Sequence, residues 1–192
     1  MKKVLIINGQ PKAGSFCDAL ADKHKEGLIK SGKEVKVLFL RELPLEGFVK
    51  YEHKEAIDLP PELLEVQKLI SWADHLVFAY PVWWATPPAL LKVFIEMIFH
   101  SGFAYKYKKT SESSYKIERL LSGKSASVIL TMDTSPRYHK WLAGDLAFRT
   151  VKGALKFCGV GPVRRSYFGS VKKSTESKRN KWLKKVYKDG LR

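Results

Sequence analysis

Short apolar runs bounded by turn residues recur along the chain, and a longer segment of helical character follows each one. Val4-Leu5-Ile6-Ile7 ends at Asn8-Gly9. A run that is apolar at successive positions is how a parallel strand covered on both faces looks. A helix should follow, since Ser15 is a good N-cap, Asp18 stands three residues later as in a capping box, and Ser31-Gly32 ends the segment. Residues 34–40 alternate as a second strand and lead to a loop with Pro44 and Gly47, and Pro60-Pro61 starts a helix that runs to Trp72. HLVFAY is a third buried strand ending at Pro81, and Pro87-Pro88 suit the first turn of a helix that carries on through Phe99. Residues 102–116 are polar and irregular, an excursion from the core. KSASVILT is a fourth strand, a long helix is expected over 138–157 with Gly159 as its stop, residues 160–169 make a fifth strand, and 175–188 the last helix.

Strands alternating with helices five times over imply an α/β fold with a parallel sheet wrapped on both faces. For five strands the flavodoxin-like order 2-1-3-4-5 is the expected right-handed solution. The length of 192 residues suits one domain spanning 1–192. Ligands of such sheets bind outside the carboxyl ends of the strands where the winding reverses, here between the first and third strands. Three loops should meet there: NGQPKAGSF, PVWWATP and TMDTSPRYH.

Composition removes several classes. Residues 76–91 carry no charge, but a spanning helix needs about 20 apolar residues, and Pro81, Pro87 and Pro88 would break it. The amino-terminal apolar run is too short for a signal peptide, so a cytoplasmic protein is expected. Cys17 and Cys158 belong to no metal-ligand spacing and read as ordinary thiols of a reducing compartment. The net charge of +16 is uneven, with eleven Lys/Arg against two Asp/Glu over residues 164–192. Trp182, Leu183, Val186 and Tyr187 recur there at helical spacing, so the segment reads as the solvated face of a helix, and a nucleic-acid role would rest on charge alone.

In loop one, Gly9 and Gly14 stand as in a phosphate loop, but Ser15 takes the place of the lysine that would bridge nucleotide phosphates, and GxGxxG is absent. What remains is a turn whose free amides and Ser15 hydroxyl sit at the positive end of a helix, a fit for a phosphate or pyrophosphate. In loop two the prolines fix a rigid turn, amides near Val82 to Trp84 are held in place, and the indoles offer a flat wall to an aromatic ring system. Loop three adds the hydroxyls of Thr131, Thr134 and Ser135, with Arg137, Tyr138 and His139 as donors and a titratable group. GxSxG, HExxH and an acidic pair flanking a sugar cleft are all missing. A planar cofactor bearing phosphate uses all three loops.

YPVWWATPPALLKVFIE, followed by GFAYKY and combined with GQPKAGSFCDAL near the start, resembles the NAD(P)H:quinone oxidoreductase family of flavodoxin-like flavoproteins, which includes quinone reductases and ancillary subunits of potassium efflux systems. The resemblance implies bound FMN or FAD, a homodimer with sites at the interface, and two-electron reduction of quinones or related acceptors by NAD(P)H. By position, Gln10, Ser15, Phe16 and Cys17 would hold the flavin phosphate side. Pro81, Val82, Trp83 and Trp84 would line the isoalloxazine, and Thr131, Met132, Asp133 and Thr134 would approach its pyrimidine edge. Tyr138 would face the ring, with His139 or Arg137 as a further catalytic candidate, and Tyr105 and Tyr107 would reach over the partner's pocket. The family's loop three is usually rich in glycine and here reads Met132-Asp133, which sets a carboxylate where negative charge opposes a reduced flavin.

The expected activity is ping-pong hydride transfer from NAD(P)H through the flavin to a quinone-like acceptor. The alternative is a regulatory subunit that docks on a membrane transport system through its basic final segment, its redox activity incidental.

Overall fold

The computed structural model describes residues 1–45, 59–111 and 114–192. Five parallel strands form the central sheet: β1 (Lys3–Asn8), β2 (Glu34–Phe39), β3 (His75–Pro81), β6 (Ser125–Thr131) and β7 (Val163–Phe168). Their order is β2-β1-β3-β6-β7. Counted among the sheet strands alone, this is the expected 2-1-3-4-5 arrangement of a flavodoxin-like fold. The register pairs Asn8 with Ala79 and Pro81 with Thr131, so the loops after β1, β3 and β6 leave the sheet side by side.

Helices cover both faces. On one lie α1 (Phe16–Lys30) and α6 (Glu176–Leu191), over a core that includes Val4, Ile6, Leu20, Val77 and Phe168. On the other lie α2 (Pro61–Trp72), α3 (Ala89–Ile98) and α5 (Leu146–Phe157), over a larger core built on Leu5, Phe78, Tyr80, Phe94 and Phe148. The alternation along each strand explains the division, because successive side chains point to opposite faces.

Two expectations are corrected. Residues 102–116 are not irregular: β4 (Tyr105–Ser111) and β5 (Ser114–Arg119) pair as an antiparallel hairpin outside the main sheet. The helix expected over 138–157 is two helices, α4 (Pro136–Trp141) and α5, because Asp145 adopts a left-handed conformation at φ 55° directly after Gly144 at φ 63°. Ser135 caps α4 by accepting from the Tyr138 amide at 3.1 Å, which starts that helix two residues earlier than the pattern suggested. The loop expected at Gly47 lies outside the described residues. Among the described residues no helix is long and apolar enough to cross a membrane.

Candidate functional site

Loop one is organised by Asp18. Its carboxylate accepts from the Ser15 amide at 3.0 Å and the Ser15 hydroxyl at 3.2 Å, closing the capping box. It also accepts from Asn8 Nδ2 at 2.6 Å and Arg41 Nη1 at 3.1 Å. Four donors from three segments hold one nearly buried carboxylate, so the turn is fixed before any ligand arrives. The side chain of Ser15 is thereby committed to the cap. Among the described residues the amides of Phe16 and Cys17, the first two of α1, have no hydrogen-bond partner. They stand at the positive end of a 15-residue helix.

Gln10 is nearly buried beside this turn; its amide donates to Asn8 Oδ1 at 3.0 Å and its backbone oxygen accepts from Arg41 at 3.3 Å. Arg41 follows β2 and has no periodic signal in the sequence, which is why the reading of three loops missed it. Its guanidinium brings positive charge to the same turn. Phe16 packs against Trp182 of α6 at 5.8 Å and lies under Arg179 at 5.4 Å. The side chain of Cys17 turns away into the core, where burial pushes its thiol up to about 12. Only its backbone faces the turn.

Loop two is a strained two-residue hairpin. The Trp83 amide donates to Thr86 O at 3.0 Å and the Thr86 amide returns to Trp83 O at 2.9 Å, with φ of 49° at Trp84 and 61° at Ala85. Positive φ at two adjacent residues suits Asn-Gly, and for residues with a Cβ it costs on the order of 1–3 kcal/mol each. Such strain persists where its surroundings enforce it, and its result here is that Trp84 stands 98% exposed and Trp83 half exposed. The expected donors change accordingly. The Val82 amide is bound to Thr131 O at 2.7 Å and that of Trp83 closes the hairpin, which leaves the amides of Trp84 and Ala85 without partners among the described residues. Pro81 is buried as the last residue of β3.

Loop three meets a fourth loop that the sequence reading left out, the one after β7. The Met132 amide donates to Phe168 O at 2.9 Å, Val171 N to Met132 O at 3.2 Å and Ser170 N to Thr134 O at 3.1 Å. Gly169 is needed there, since a Cβ would lie 2.4 Å from Pro136 and 2.6 Å from Thr134 O. Its signal was the Gly169-Ser170 pair ending the fifth strand. Asp133 is half exposed and bound to this loop, with Oδ2 3.1 Å from Lys172 Nζ and Oδ1 accepting from the Lys172 amide at 3.1 Å. The carboxylate that stood against a reduced flavin thus has its own counter-charge. Thr131 and Met132 are buried at the strand end.

Tyr138 is half exposed on the first turn of α4. His139 is a correction: it is 1% exposed and turned inward, with Nε2 3.5 Å from Asp145 Oδ1 and without a hydrogen-bond partner, and burial lowers its pKa. It cannot touch a ligand in the crevice. Asp145 is the centre of that inner cluster, accepting from Arg165 Nη1 at 2.5 Å and from the Tyr167 hydroxyl at 2.6 Å. Tyr105 is buried in its own chain, edge-on to Phe157 at 4.8 Å, whereas Tyr107 beside it on the hairpin is half exposed.

At the point where β1 and β3 diverge, then, a helix terminus with free amides adjoins an exposed indole pair, two further free amides and a hydroxyl-bearing loop. The arrangement suits a planar ring carrying phosphate: the helix end takes the anion, the indoles a ring face, and the amides of Trp84 and Ala85 a polar ring edge. The class this defines is a flavodoxin-like α/β protein.

The comparisons agree. Residues 2–188 match the family described as having a flavodoxin-like fold, and the chain belongs to that family. Among curated relatives, a ribosyldihydronicotinamide dehydrogenase-like protein, traD, of Penicillium crustosum is 29% identical over 152 residues, covering 68% of this chain and 57% of that protein. NAD(P)H dehydrogenase (quinone) 1 of Cavia porcellus is 27% identical over 183 residues, covering 83% of this chain and 65% of that protein. The chain thus spans less than two thirds of the length of either relative. Among solved structures, Smu.1420 from Streptococcus mutans UA159 is 31% identical with a TM-score of 0.81, covering 98% of each chain. An FMN-dependent NADH-azoreductase of Bacillus anthracis, solved in complex with FMN, is 16% identical with a TM-score of 0.74 over 99% of this chain and 98% of that one, a likeness of fold.

Proposed function

We propose that the protein is a flavin-dependent NAD(P)H oxidoreductase acting on quinones or related acceptors. The observation that carries this reading is the strained Trp83–Thr86 hairpin, which holds two aromatic side chains and two free amides beside the free amides of α1. The names of the relatives point to the same chemistry. In this reading the amides of Phe16 and Cys17, with Arg41 behind them, hold the phosphate of FMN or the pyrophosphate of FAD. The turn at Pro81 to Ala85 lines the ring, its amides at 84 and 85 bonding the polar edge, and Thr131 to Thr134 border the pyrimidine end. Bound there, a flavin would supply two-electron transfer between a nicotinamide and an acceptor.

The chain's own part is positional. Trp83 and Trp84 offer one apolar wall to a ring, and the dipole of α1 offsets ligand charge, Arg41 being paired with Asp18. Lys172 sets a counter-charge 3.1 Å from the Asp133 carboxylate. Tyr138 takes the role of hydroxyl donor to the acceptor oxygen; the Tyr138→Phe variant should slow acceptor reduction while flavin stays bound, and unchanged turnover would remove the residue from the mechanism. Exposed Trp141, Leu142 and Tyr115 support a homodimer, in which a second copy covers these side chains.

The decisive test is the visible spectrum of the protein purified without added cofactor, followed by anaerobic NADH and then NADPH. The expected result is a flavin spectrum that bleaches on adding a nucleotide. A colourless protein that neither takes up FMN or FAD nor oxidises NAD(P)H would overturn the assignment.

A further inference from the structure

At the opposite edge of the sheet, where the strands begin, a cavity of about 340 Å³ lies beneath α1 and α6. A six-residue strand of about 20 Å separates it from the crevice, so nothing bound in one touches the other. The sheet face that forms its floor is mixed, with polar side chains set beside apolar Val4 and Ile129. His75, Ser127, Arg164 and Ser166 occupy the positions whose neighbours further along the same strands, Val77, Ile129 and Phe168, are core. His75 is held between the Ser125 hydroxyl at 2.8 Å and the Ser127 hydroxyl at 3.0 Å, which fixes the floor in one arrangement.

The walls are cationic. Lys2, Lys33, Arg164, Arg165, Lys185 and Arg192 line the cavity against a single carboxylate side chain, Asp189. Asp189 is committed to Lys185 at 2.5 Å, and Lys185 also donates to the Ser166 hydroxyl at 3.2 Å. Lys33 is partly accounted for as well, because it donates to Gly190 O at 3.1 Å at the carbonyl end of α6, where a cation is favoured. Among the described residues, Lys2, Arg164 and Arg192 form no ion pair. Unpaired cations converging on one concavity repel one another, and a floor of hydroxyls would strengthen the hold on any anion that relieves the repulsion.

We propose that this cavity is a binding site for a small phosphate-bearing polyanion, separate from the crevice at the other edge of the sheet. The Arg164 fork matches phosphate oxygens in a bidentate way, Lys2 and Lys185 contribute point charges, and the Ser127 and Ser166 hydroxyls donate from the floor. A volume of about 340 Å³ accommodates a di- or triphosphate or a nucleoside monophosphate.

The test uses inorganic pyrophosphate as the probe, followed by calorimetry and by amide chemical shifts of the full chain, with citrate as a carboxylate polyanion of similar charge. Saturable binding of one pyrophosphate per chain is expected, at least tenfold tighter than citrate, with shifts centred on His75, Ser127 and Ser166. Arg164→Gln and Lys2→Gln should each weaken it tenfold or more. Lys181→Gln removes an equal charge from α6 outside the cavity and should change affinity less than twofold. Binding that does not saturate, equal affinity for citrate, shifts confined to residues 10–16, or equal losses in the Arg164 and Lys181 variants would overturn the proposal. Because Arg164 and Lys181 are exposed, both variants should fold.

Discussion

On one face of the sheet α1 and α6 meet backbone to backbone. A Cβ on Gly27 would lie 2.2 Å from Tyr187 O, and one on Gly190 would lie 2.6 Å from His24 O. On the other face α4 and α5 are tied down by side chains, through the Arg165, Tyr167 and His139 neighbours of Asp145. There Gly153 of α5 has no atom within 4 Å of an added Cβ. Between α1 and α6 the contact is close at the backbone and tolerates no added volume. Around α4 and the start of α5 a polar cluster on Asp145 adds to an apolar core, and Gly153 lies on the solvent-facing side of α5.

The same substitution should therefore have opposite signs on the two faces. Gly27→Ala should lower stability by about 3 kcal/mol or more, because the clash is with main chain that cannot rotate away. Gly153→Ala should raise it by about 1 kcal/mol, the intrinsic helical advantage of alanine. Denaturation midpoints at constant m-value check both, and a neutral Gly27→Ala would mean the two helices can separate without penalty. Next in size, Asp145→Ala should cost about 2 kcal/mol, since it strips charge-assisted bonds from Arg165 and Tyr167. It should also loosen α4. If Asp145→Ala left stability and the amide exchange of residues 136–141 unchanged, the polar cluster would not be what holds that layer.

How far the sequence disclosed this follows from the range of each interaction. The strands and most helix starts were legible because they depend on near neighbours: apolar runs, Ser15 with Asp18, Pro60-Pro61. From the alternation of strands and helices the order of the sheet followed. The break at Gly144-Asp145 was not legible, because amphipathic spacing continues through it and the left-handed residue is stabilised by Arg165 and Tyr167, about 20 residues away. For the same reason His139 read as a loop donor, whereas its burial depends on β7. Pro81 to Thr86 read correctly as a rigid turn, but which amides it frees depends on Thr131 O accepting from Val82, a contact across the sheet. Asp133 looked hostile to a flavin because its partner, Lys172, comes from a loop after the last strand.

Acid gives the finest comparison of the two layers. Under α1 and α6, His24 and His75 are both lowered by burial, His75 to about 4 from an ordinary 6.5, with Lys2, His24 and Arg164 adding to the effect. In the α4 cluster, burial lowers His139 while the Asp145 carboxylate pulls the other way. Between pH 6.5 and about 4 the unfolded chain therefore binds protons at His75 that the folded chain refuses, so stability falls as pH falls through that window and levels off below it. After allowance for solvent at a half-buried ring, the His75 share should be about 1–2 kcal/mol. Unfolding midpoints at pH 7.5 and 4.5 should lie closer together in His75→Gln than in the parent chain, with a smaller change in His139→Gln. If His139→Gln flattened the profile more, the acid-sensitive contact would lie beneath α4, and the polar layer rather than the close-packed one would be the first to open.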